Sequence, residues 1–250
     1  MKKASGTSVG KKIVIAAAAL LLAGAVAALA VFVLVPAGKL ARANKLLDQG
    51  DAAGAFDAYD RMGDYGDAAG RKAQVQADVI ASRSAESLTF GGREWLVLEE
   101  RNGRALLLLK NILELRPYNE TLEASAWESC TLRAYLNAAF YASIPEADRG
   151  RVVSAQVRNS GSAAYGTKAG GDTEDHVFLL SLAQAKLYFA GDAARVAYGA
   201  NGAAYWWLRS PGMEPIVAAT VGSDGALGEA GSAVNAKTRG VRPAIWAIME

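Results

Sequence analysis

The chain has 250 residues, of which 52% are hydrophobic and 21% are charged, and this composition excludes an intrinsically disordered protein. Its 27 basic and 25 acidic residues leave a formal net charge of only +2. Because Lys and Arg form no block outside the N-terminus, the charge pattern argues against a nucleic-acid partner.

A long apolar segment, Ile13 to Val35, follows a basic N-terminal tail. At about 1.5 Å per helical residue, the segment is long enough to cross a bilayer core of roughly 30 Å. The basic residues on its N-terminal side favour a cytoplasmic N-terminus. We therefore predict a single-pass protein of the plasma membrane, with a cytoplasmic tail (residues 1–12), a signal-anchor transmembrane helix (residues 13–36) and an extracytoplasmic C-terminal part.

Two other interpretations of the apolar segment stay open. Ala28-Leu29-Ala30 has the small-x-small form that a signal peptidase accepts, which would make the segment a cleaved signal peptide. The further apolar residues 31–35 favour the uncleaved anchor, because a cleaved signal does not need them. A buried core helix is disfavoured because no polar face interrupts the segment.

Residues 38–84 are rich in Ala, Asp, Lys and Arg, and their apolar residues recur at helical spacing. Glycines at positions 50 and 63 interrupt this spacing, which predicts three helices separated by tight turns. The segment resembles a helix-turn-helix unit of the tetratricopeptide class at Gly50, Ala55, Phe56 and Tyr59. It covers little more than one repeat, whereas such units normally need about three. We therefore predict a helical stalk that packs on a neighbouring domain.

The hydrophobic period changes towards two in residues 86–250, which indicates strands. Asn102-Gly103 and Asp224-Gly225 are strong signals for the turns of two hairpins. A helix is predicted in "CTLRAYLNAAFY", and a second begins at "SLAQ", where Ser and Gln are spaced as a capping box. The sequence thus predicts a mixed α+β domain with hairpins and two helices.

Several blocks of this domain resemble a family of exported bacterial domains of unknown function. They are "GREWLVLE", "LRPYN", "WESCTLRAYLN", "VFLLSLAQAKLYF", "WWLRSPG", "VGSDG" and "GVRPAIW". The Trp-x-Arg and final Gly-x-Arg-Pro blocks are also similar to the C-type-lectin-like fold shared by formylglycine-generating enzymes and the variable proteins of diversity-generating systems. This resemblance implies a lectin-like domain over residues 86–250. It does not transfer either activity, because the chain has one Cys and lacks the Glu-Pro-Asn, Gln-Pro-Asp and Trp-Asn-Asp sequences of calcium-dependent lectins.

Motifs for catalysis or metal binding are sparse. His176 and Cys130 are the only residues of their types, and no nucleophile elbow or metal-spaced cluster accompanies them. We expect Cys130 to be a buried small side chain and His176 to be a packed or capping residue. Asp172, Glu174 and Asp175 could hold a hard cation, but a solvated turn is favoured. We therefore predict no catalytic residue, no metal site and no cofactor.

The adjacent pair Trp206-Trp207 raises the question of a ligand platform. Successive residues of a strand face opposite sides of a sheet, so the two rings cannot share one stacking surface. We assign Trp207 to the core and Trp206 to a ligand surface. The other predicted ligand residues, which lie in Gly-rich loops, are Tyr165, Tyr205 and Asp224. The other predicted structural residues are Trp95, Trp127, Arg209 and Arg242, the arginines pairing with a carboxylate or with backbone carbonyls.

Together these features favour a non-catalytic binding or interaction module at the bacterial cell surface. Its expected partners are the membrane and either a cell-wall glycan or a surface protein. An envelope hydrolase or transferase that uses a carboxylate pair is one alternative, and a purely structural envelope protein is another. A pocket with converging carboxylates of shifted pKa would favour the enzyme, and an exposed aromatic groove would favour the binding module. A sealed polar surface would favour the structural protein.

Overall fold

The computed structural model describes residues 35–249. The predicted cytoplasmic tail, and the predicted transmembrane helix up to residue 34, lie outside the described residues. Within residues 35–249, no helix is both long enough and apolar enough to cross a membrane. This part of the chain is an α+β structure in which three helices precede two sheets.

Three helices form the N-terminal part of the described chain, where the spacing of apolar residues predicts them. They are α1 (Val35–Asp48), α2 (Ala52–Asp60) and α3 (Ala68–Ala81). Gly50 separates α1 from α2 and has a φ of 76°, which glycine adopts without strain. Asp51 then caps α2 by accepting a hydrogen bond from the Gly54 N–H at 2.8 Å. Tyr59 donates to the Asn44 side-chain oxygen at 2.7 Å and ties α2 to α1.

The first sheet is built around the hairpin predicted at Asn102-Gly103. Both residues have positive φ, 51° and 70°, as this two-residue turn requires, so the prediction is confirmed. The strands are β1 (Ser87–Phe90), β2 (Arg93–Arg101), β3 (Arg104–Leu109), β5 (Val152–Val153), β8 (Val177–Phe178) and β15 (Ala244–Ile248). Their order is β1-β2-β3-β15-β5, and β8 also pairs with β15.

The second sheet contains the Trp206-Trp207 pair. Its strands are β4 (Glu114–Leu115), β11 (Trp206–Pro211), β12 (Val217–Val221), β13 (Leu227–Ala233) and β14 (Gly240–Val241), in the order β13-β12-β11-β14-β4. Asp224-Gly225 lies between the antiparallel strands β12 and β13, which confirms the second hairpin. Two short strand pairs lie outside both sheets: β6 (Ala155–Val157) with β7 (Thr173–Asp175), and β9 (Tyr198–Gly199) with β10 (Gly202–Ala203).

Both helices predicted in the α+β part are present. The first is α4 (Thr131–Tyr135), which continues as a π-helical turn over Leu136–Phe140. The second is α6 (Leu182–Tyr188), which begins with the predicted capping box between Ser181 and Gln184. Two one-turn helices, α5 (Glu146–Arg149) and α7 (Asp192–Arg195), were not predicted, because four residues are too few to show a helical period.

Helices α1–α3, here called the helical layer, share one hydrophobic core with the α+β part. Helix α2 packs on α6, and α3 packs on β2 and α6. Gln76 of α3 donates to the Lys186 carbonyl at 2.8 Å. Arg83, just after α3, donates to the carbonyls of Leu98 and Tyr188 at 2.9 and 2.7 Å. The layer is therefore bound to the domain by apolar and polar contacts.

A core truncation in α2 tests whether layer and domain unfold together. Phe56 is 4% exposed and belongs to the shared core, so Phe56→Ala should cost about 3–5 kcal/mol of unfolding free energy. The matched control is Leu47→Ala, because Leu47 of α1 is 40% exposed and its loss should change stability by under about 0.5 kcal/mol. Calorimetry should show one transition at a lower Tm for Phe56→Ala. A separate early transition with the main one unchanged would contradict the shared core.

Candidate ligand-binding cleft

A cleft of about 520 Å³ opens between the helical layer and the α+β domain. One wall is formed by α2 and the turn before it. The other is formed by residues 156–163, the start of α6 and the end of β11. Six carboxylates and five basic side chains line this interlayer cleft. Its volume lies within the range of about 300–1,000 Å³ that small-molecule sites occupy.

Ion pairs neutralise most of the charges in the interlayer cleft and connect its two walls. Arg158 of the domain reaches Asp51 of the layer at 3.3 Å. Lys186 of α6 lies 3.3 Å from Asp60 on α2 and 3.0 Å from Glu229 on β13. A charged ligand would have to compete with these pairs, whereas an uncharged polar ligand can use their free lone pairs and N–H groups.

The pKa values of Asp60 and Lys186 show that these pairs hold their charges. Burial alone would raise the pKa of Asp60, but hydrogen bonds and charges from Lys72 and Lys186 lower it. Burial alone would lower the pKa of Lys186, but its bonds to Glu229 and Asp60 raise it. The stabilisation from Asp60 is complete above its unfolded-state pKa and is lost as the pH falls through the lower folded value. That from Lys186 is complete below its unfolded-state pKa and is lost as the pH rises through the higher folded value.

Glu99 of β2 lines the cleft and is 6% exposed. It accepts a hydrogen bond from the Tyr188 hydroxyl at 2.7 Å and pairs with Arg101 at 3.3 Å. Burial, together with the nearby Glu99 charge, raises the pKa of Tyr188 well above its ordinary value. Tyr188 therefore stays protonated and keeps donating to Glu99. The Glu99 carboxylate is thus bound by Tyr188 and Arg101.

Arg209 of β11 holds the loop formed by residues 158–172, here called the outer loop. The residue is 6% exposed, and no carboxylate within residues 35–249 contacts its guanidinium. Its Nε donates to Asn159 Oδ1 at 3.1 Å, and its Nη2 donates to the Arg158 carbonyl at 3.0 Å. Its Nη1 donates to the Leu179 carbonyl at 2.7 Å. Burial lowers the pKa of Arg209 to about 10, so the group stays charged near neutral pH.

The other side of the outer loop faces a second, shallower depression of about 530 Å³. Arg61 lines both this depression and the interlayer cleft, and its Nη2 donates to the Gly161 carbonyl at 2.9 Å. Tyr165, a predicted ligand residue, lies on the same loop and is 46% exposed. The loop thus separates two concave surfaces and is held by arginines from both the layer and the domain.

The predicted ligand residues do not converge on one site. None of the four lines the interlayer cleft. Tyr205 is 45% exposed, and its ring stacks with the Arg239 guanidinium at 4.7 Å. Asp224 is exposed in the β12–β13 turn, where its Oδ1 accepts a hydrogen bond from the Ala226 N–H at 3.0 Å. Tyr205 and Asp224 are therefore available to a partner only outside the cleft.

Trp206 and Trp207 are both fully buried. Trp206 Nε1 donates to the Arg195 carbonyl at 3.2 Å, and the Arg242 guanidinium lies 4.9 Å from its ring. Trp207 makes an edge contact with Tyr118 at 5.7 Å. The assignment of Trp206 to a ligand surface is therefore wrong, because neither of these rings reaches solvent.

Arg242 and Trp95 lie in the core. Arg242 is 1% exposed, and it donates to the carbonyls of Leu109 and Lys110 at 2.9 and 3.0 Å. Burial lowers its pKa to about 9. Trp95 donates from Nε1 to the Phe90 carbonyl at 2.9 Å. These contacts satisfy the N–H groups of two large side chains that pack in the core.

Asp175 of the sequence "GGDTEDH" is 1% exposed and bound by three donors. It accepts from Trp127 Nε1 at 2.9 Å, Arg133 Nε at 2.7 Å and Thr173 Oγ1 at 2.7 Å. The carboxylate oxygens of Asp175 are therefore hydrogen-bonded to neighbouring side chains of the fold. In the part of the chain that the structure describes, no group of three or more His, Cys, Asp or Glu side chains is arranged to hold a metal ion.

Cys130 and His176 have the packing roles expected from the sequence. Cys130 is 2% exposed, and its sulfur accepts the Arg133 N–H at 3.4 Å as the cap of α4. Burial raises the pKa of this thiol to about 11, so it stays protonated near neutral pH. His176 stacks on Tyr141 with the ring centroids 4.5 Å apart.

Sequence reasoning missed the interlayer cleft because half of it belongs to the segment interpreted as a stalk. One signal was present in the sequence. Asp57 and Asp60 are three residues apart on α2, which places them on neighbouring turns of one side of the helix. Asp57, however, pairs within the layer with Arg61, and the domain partner of Asp60, Lys186, is far away in sequence.

The fold and the cleft together define an α+β domain covered by a helical layer. Residues 102–247 match the model of a family described as a domain of unknown function (DUF6273). The chain belongs to this family. No curated protein and no solved structure matches the chain. The family match includes the domain wall of the cleft and leaves out the helical layer.

Replacing Arg209 tests whether it holds the outer loop. Arg209→Lys supplies one ammonium group that cannot reach all of the acceptors, so it should lower stability by about 2–4 kcal/mol and speed amide exchange in residues 158–172. The control is Arg104→Lys, because Arg104 is exposed on β3 and should change stability by under about 0.5 kcal/mol. Hydrogen–deuterium exchange measures both variants. Unchanged exchange in the outer loop of Arg209→Lys would contradict this role.

Proposed function

We propose that the chain is a non-catalytic binding module of the bacterial cell surface that holds a glycan in the interlayer cleft. The observation that carries this proposal is the cleft itself, about 520 Å³ in volume and lined by side chains of both charge signs. The cleft is concave and rich in hydrogen-bonding groups, as ligand sites commonly are. Five of its six carboxylates are held in ion pairs, which favours binding over catalysis by a free carboxylate pair.

The charge pairing favours an uncharged ligand with many hydroxyl groups. Each hydroxyl group can donate one hydrogen bond and accept others. It can therefore bind a carboxylate and a neighbouring cation without separating them. A strongly charged ligand would have to displace a contact such as Arg158–Asp51 or Lys186–Asp60. A sugar fits this pattern better than a phosphate or a free amine.

The outer loop supplies the second support for the proposal. Loops on a rigid scaffold are a common place for recognition, and this loop is fixed by Arg209 and Arg61. We retain Tyr165 as a proposed ligand contact because it lies exposed on this loop. Tyr205 and Asp224 lie elsewhere, so in this proposal they contact only a larger partner, such as a surface protein.

The proposal also includes the location of the module. The apolar segment Ile13 to Val35 and the basic residues before it support a single-pass anchor in the plasma membrane, with residues 1–12 in the cytoplasm and the C-terminal domain outside. The lectin-like architecture is likewise part of the proposal, and its support is the set of sequence blocks ending in "GVRPAIW".

A blocking substitution tests the cleft as the glycan site. Ala163 is exposed on the outer loop and lines the cleft, whereas Ala164 is exposed beside it and does not line the cleft. After a glycan array with the full chain identifies a ligand, Ala163→Trp should weaken its binding at least about tenfold, equivalent to 1.4 kcal/mol. Ala164→Trp should leave the affinity nearly unchanged. Calorimetric titration measures the affinity, and equal Tm values show that both variants are folded.

Two outcomes would contradict the proposal. Glycan binding that Ala163→Trp leaves unchanged would place the ligand outside the interlayer cleft. A chain that binds no glycan on the array, but retains a cell-surface protein on its exposed loops, would exclude the glycan as ligand.

A further inference from the structure

Helix α1 carries three exposed basic residues without an ionic partner among residues 35–249. Lys39, Arg42 and Lys45 are all exposed, and no carboxylate within residues 35–249 pairs with them. Their spacing of three residues places them along one stripe of the helix. The buried residues of α1, Ala43 and Leu46, pack into the shared core. Lys39 lies on the same side of the helix as Ala43 but one turn nearer the N-terminus, where it is exposed. The fold thus leaves this basic stripe (Lys39, Arg42 and Lys45) in solvent.

The basic residues of the neighbouring helices α2 and α3 form ion pairs with carboxylates. Arg61 at the end of α2 pairs with Asp57 at 3.0 Å. On α3, Arg71 pairs with Asp67 at 2.6 Å, and Lys72 pairs with Asp60 at 3.0 Å. Helix α1 has no acidic residue in its first turn. The basic stripe is therefore a group of cations without ion pairs, next to helices whose cations are paired.

The position of α1 in the chain indicates what the stripe faces. Its first residue, Val35, is also the last residue of the apolar segment. At about 1.5 Å per residue, Lys39, Arg42 and Lys45 lie about 6, 10 and 15 Å beyond Val35 along the helix. The headgroup layer is about 5–8 Å thick on each side of a bilayer, and charges interact over a Debye length of about 8 Å.

We propose that the basic stripe binds anionic phospholipid headgroups and so holds the helical layer against the membrane surface. This inference rests on the membrane anchor proposed above. Lys39 and Arg42 fall within the headgroup layer or one Debye length of it, and Lys45 comes into reach when the helix tilts. Each cation near an anionic surface strengthens binding by about fivefold. The stripe thereby sets which side of the domain faces the bilayer.

Lysine labelling of the full chain in nanodiscs tests the proposal. One set of discs contains phosphatidylcholine alone, and the other contains equal parts of phosphatidylcholine and phosphatidylglycerol. The acetylation rates of Lys39 and Lys45, followed by mass spectrometry, should fall about fivefold in the anionic discs and recover at high salt. Lys237 is the internal control, because it is exposed in the α+β domain and should label equally in both discs.

A charge reversal provides the matched variants. Arg42→Glu should restore the labelling of Lys39 and Lys45 in anionic discs towards the rate in neutral discs. Lys237→Glu should leave that labelling unchanged. Both positions are exposed, so neither variant should lower the Tm appreciably.

Two results would overturn the proposal. Equal labelling of Lys39 and Lys45 in the two kinds of disc would overturn the proposal. Protection by soluble tripolyphosphate as strong as that by anionic discs would assign the stripe to a soluble anion and would also overturn it. The anchor is tested separately, because a chain that leaves neutral discs at high salt has no apolar anchor, whatever the stripe binds.

Discussion

The arrangement of the domain depends on two buried guanidinium groups, those of Arg242 and Arg209. No carboxylate within residues 35–249 contacts either of them. Arg242 binds the Leu109 carbonyl at the end of β3 and lies over Trp206 of the second sheet. Arg209 binds the outer loop from β11. A buried charge is costly unless it is fully hydrogen-bonded, so the backbone carbonyls have to converge on these groups. That requirement joins elements that no strand pairing connects.

The interlayer cleft follows from this arrangement and from the helical layer. Arg209 fixes the start of the outer loop, and the ion pairs of Arg158 and Lys186 connect the two walls across the gap. The family match over residues 102–247 covers only one of these walls. In this chain the helical layer completes a concave site that the family domain alone would leave open.

Local sequence rules predicted the parts of the fold that depend on neighbouring residues. The Asn102-Gly103 turn and the Ser181 capping box are set within a few residues and were therefore predictable. Alternation along a strand places Trp206 and Trp207 on opposite faces of the sheet, but it does not show that both faces of the sheet are covered. That depends on Arg242 and other distant segments. The cleft was missed for the same reason, because its walls are about a hundred residues apart in sequence.

The most direct test of the account is the distance across the interlayer cleft. Gln49 and Ala163 are exposed on its opposite walls, and Cys130 is buried, so spin labels can be placed at Gln49→Cys and Ala163→Cys. Double electron–electron resonance on the full chain should give a single narrow distance distribution, because the layer and the domain share one core. A broad or two-peaked distribution would contradict a fixed cleft and would show that the helical layer moves independently of the domain.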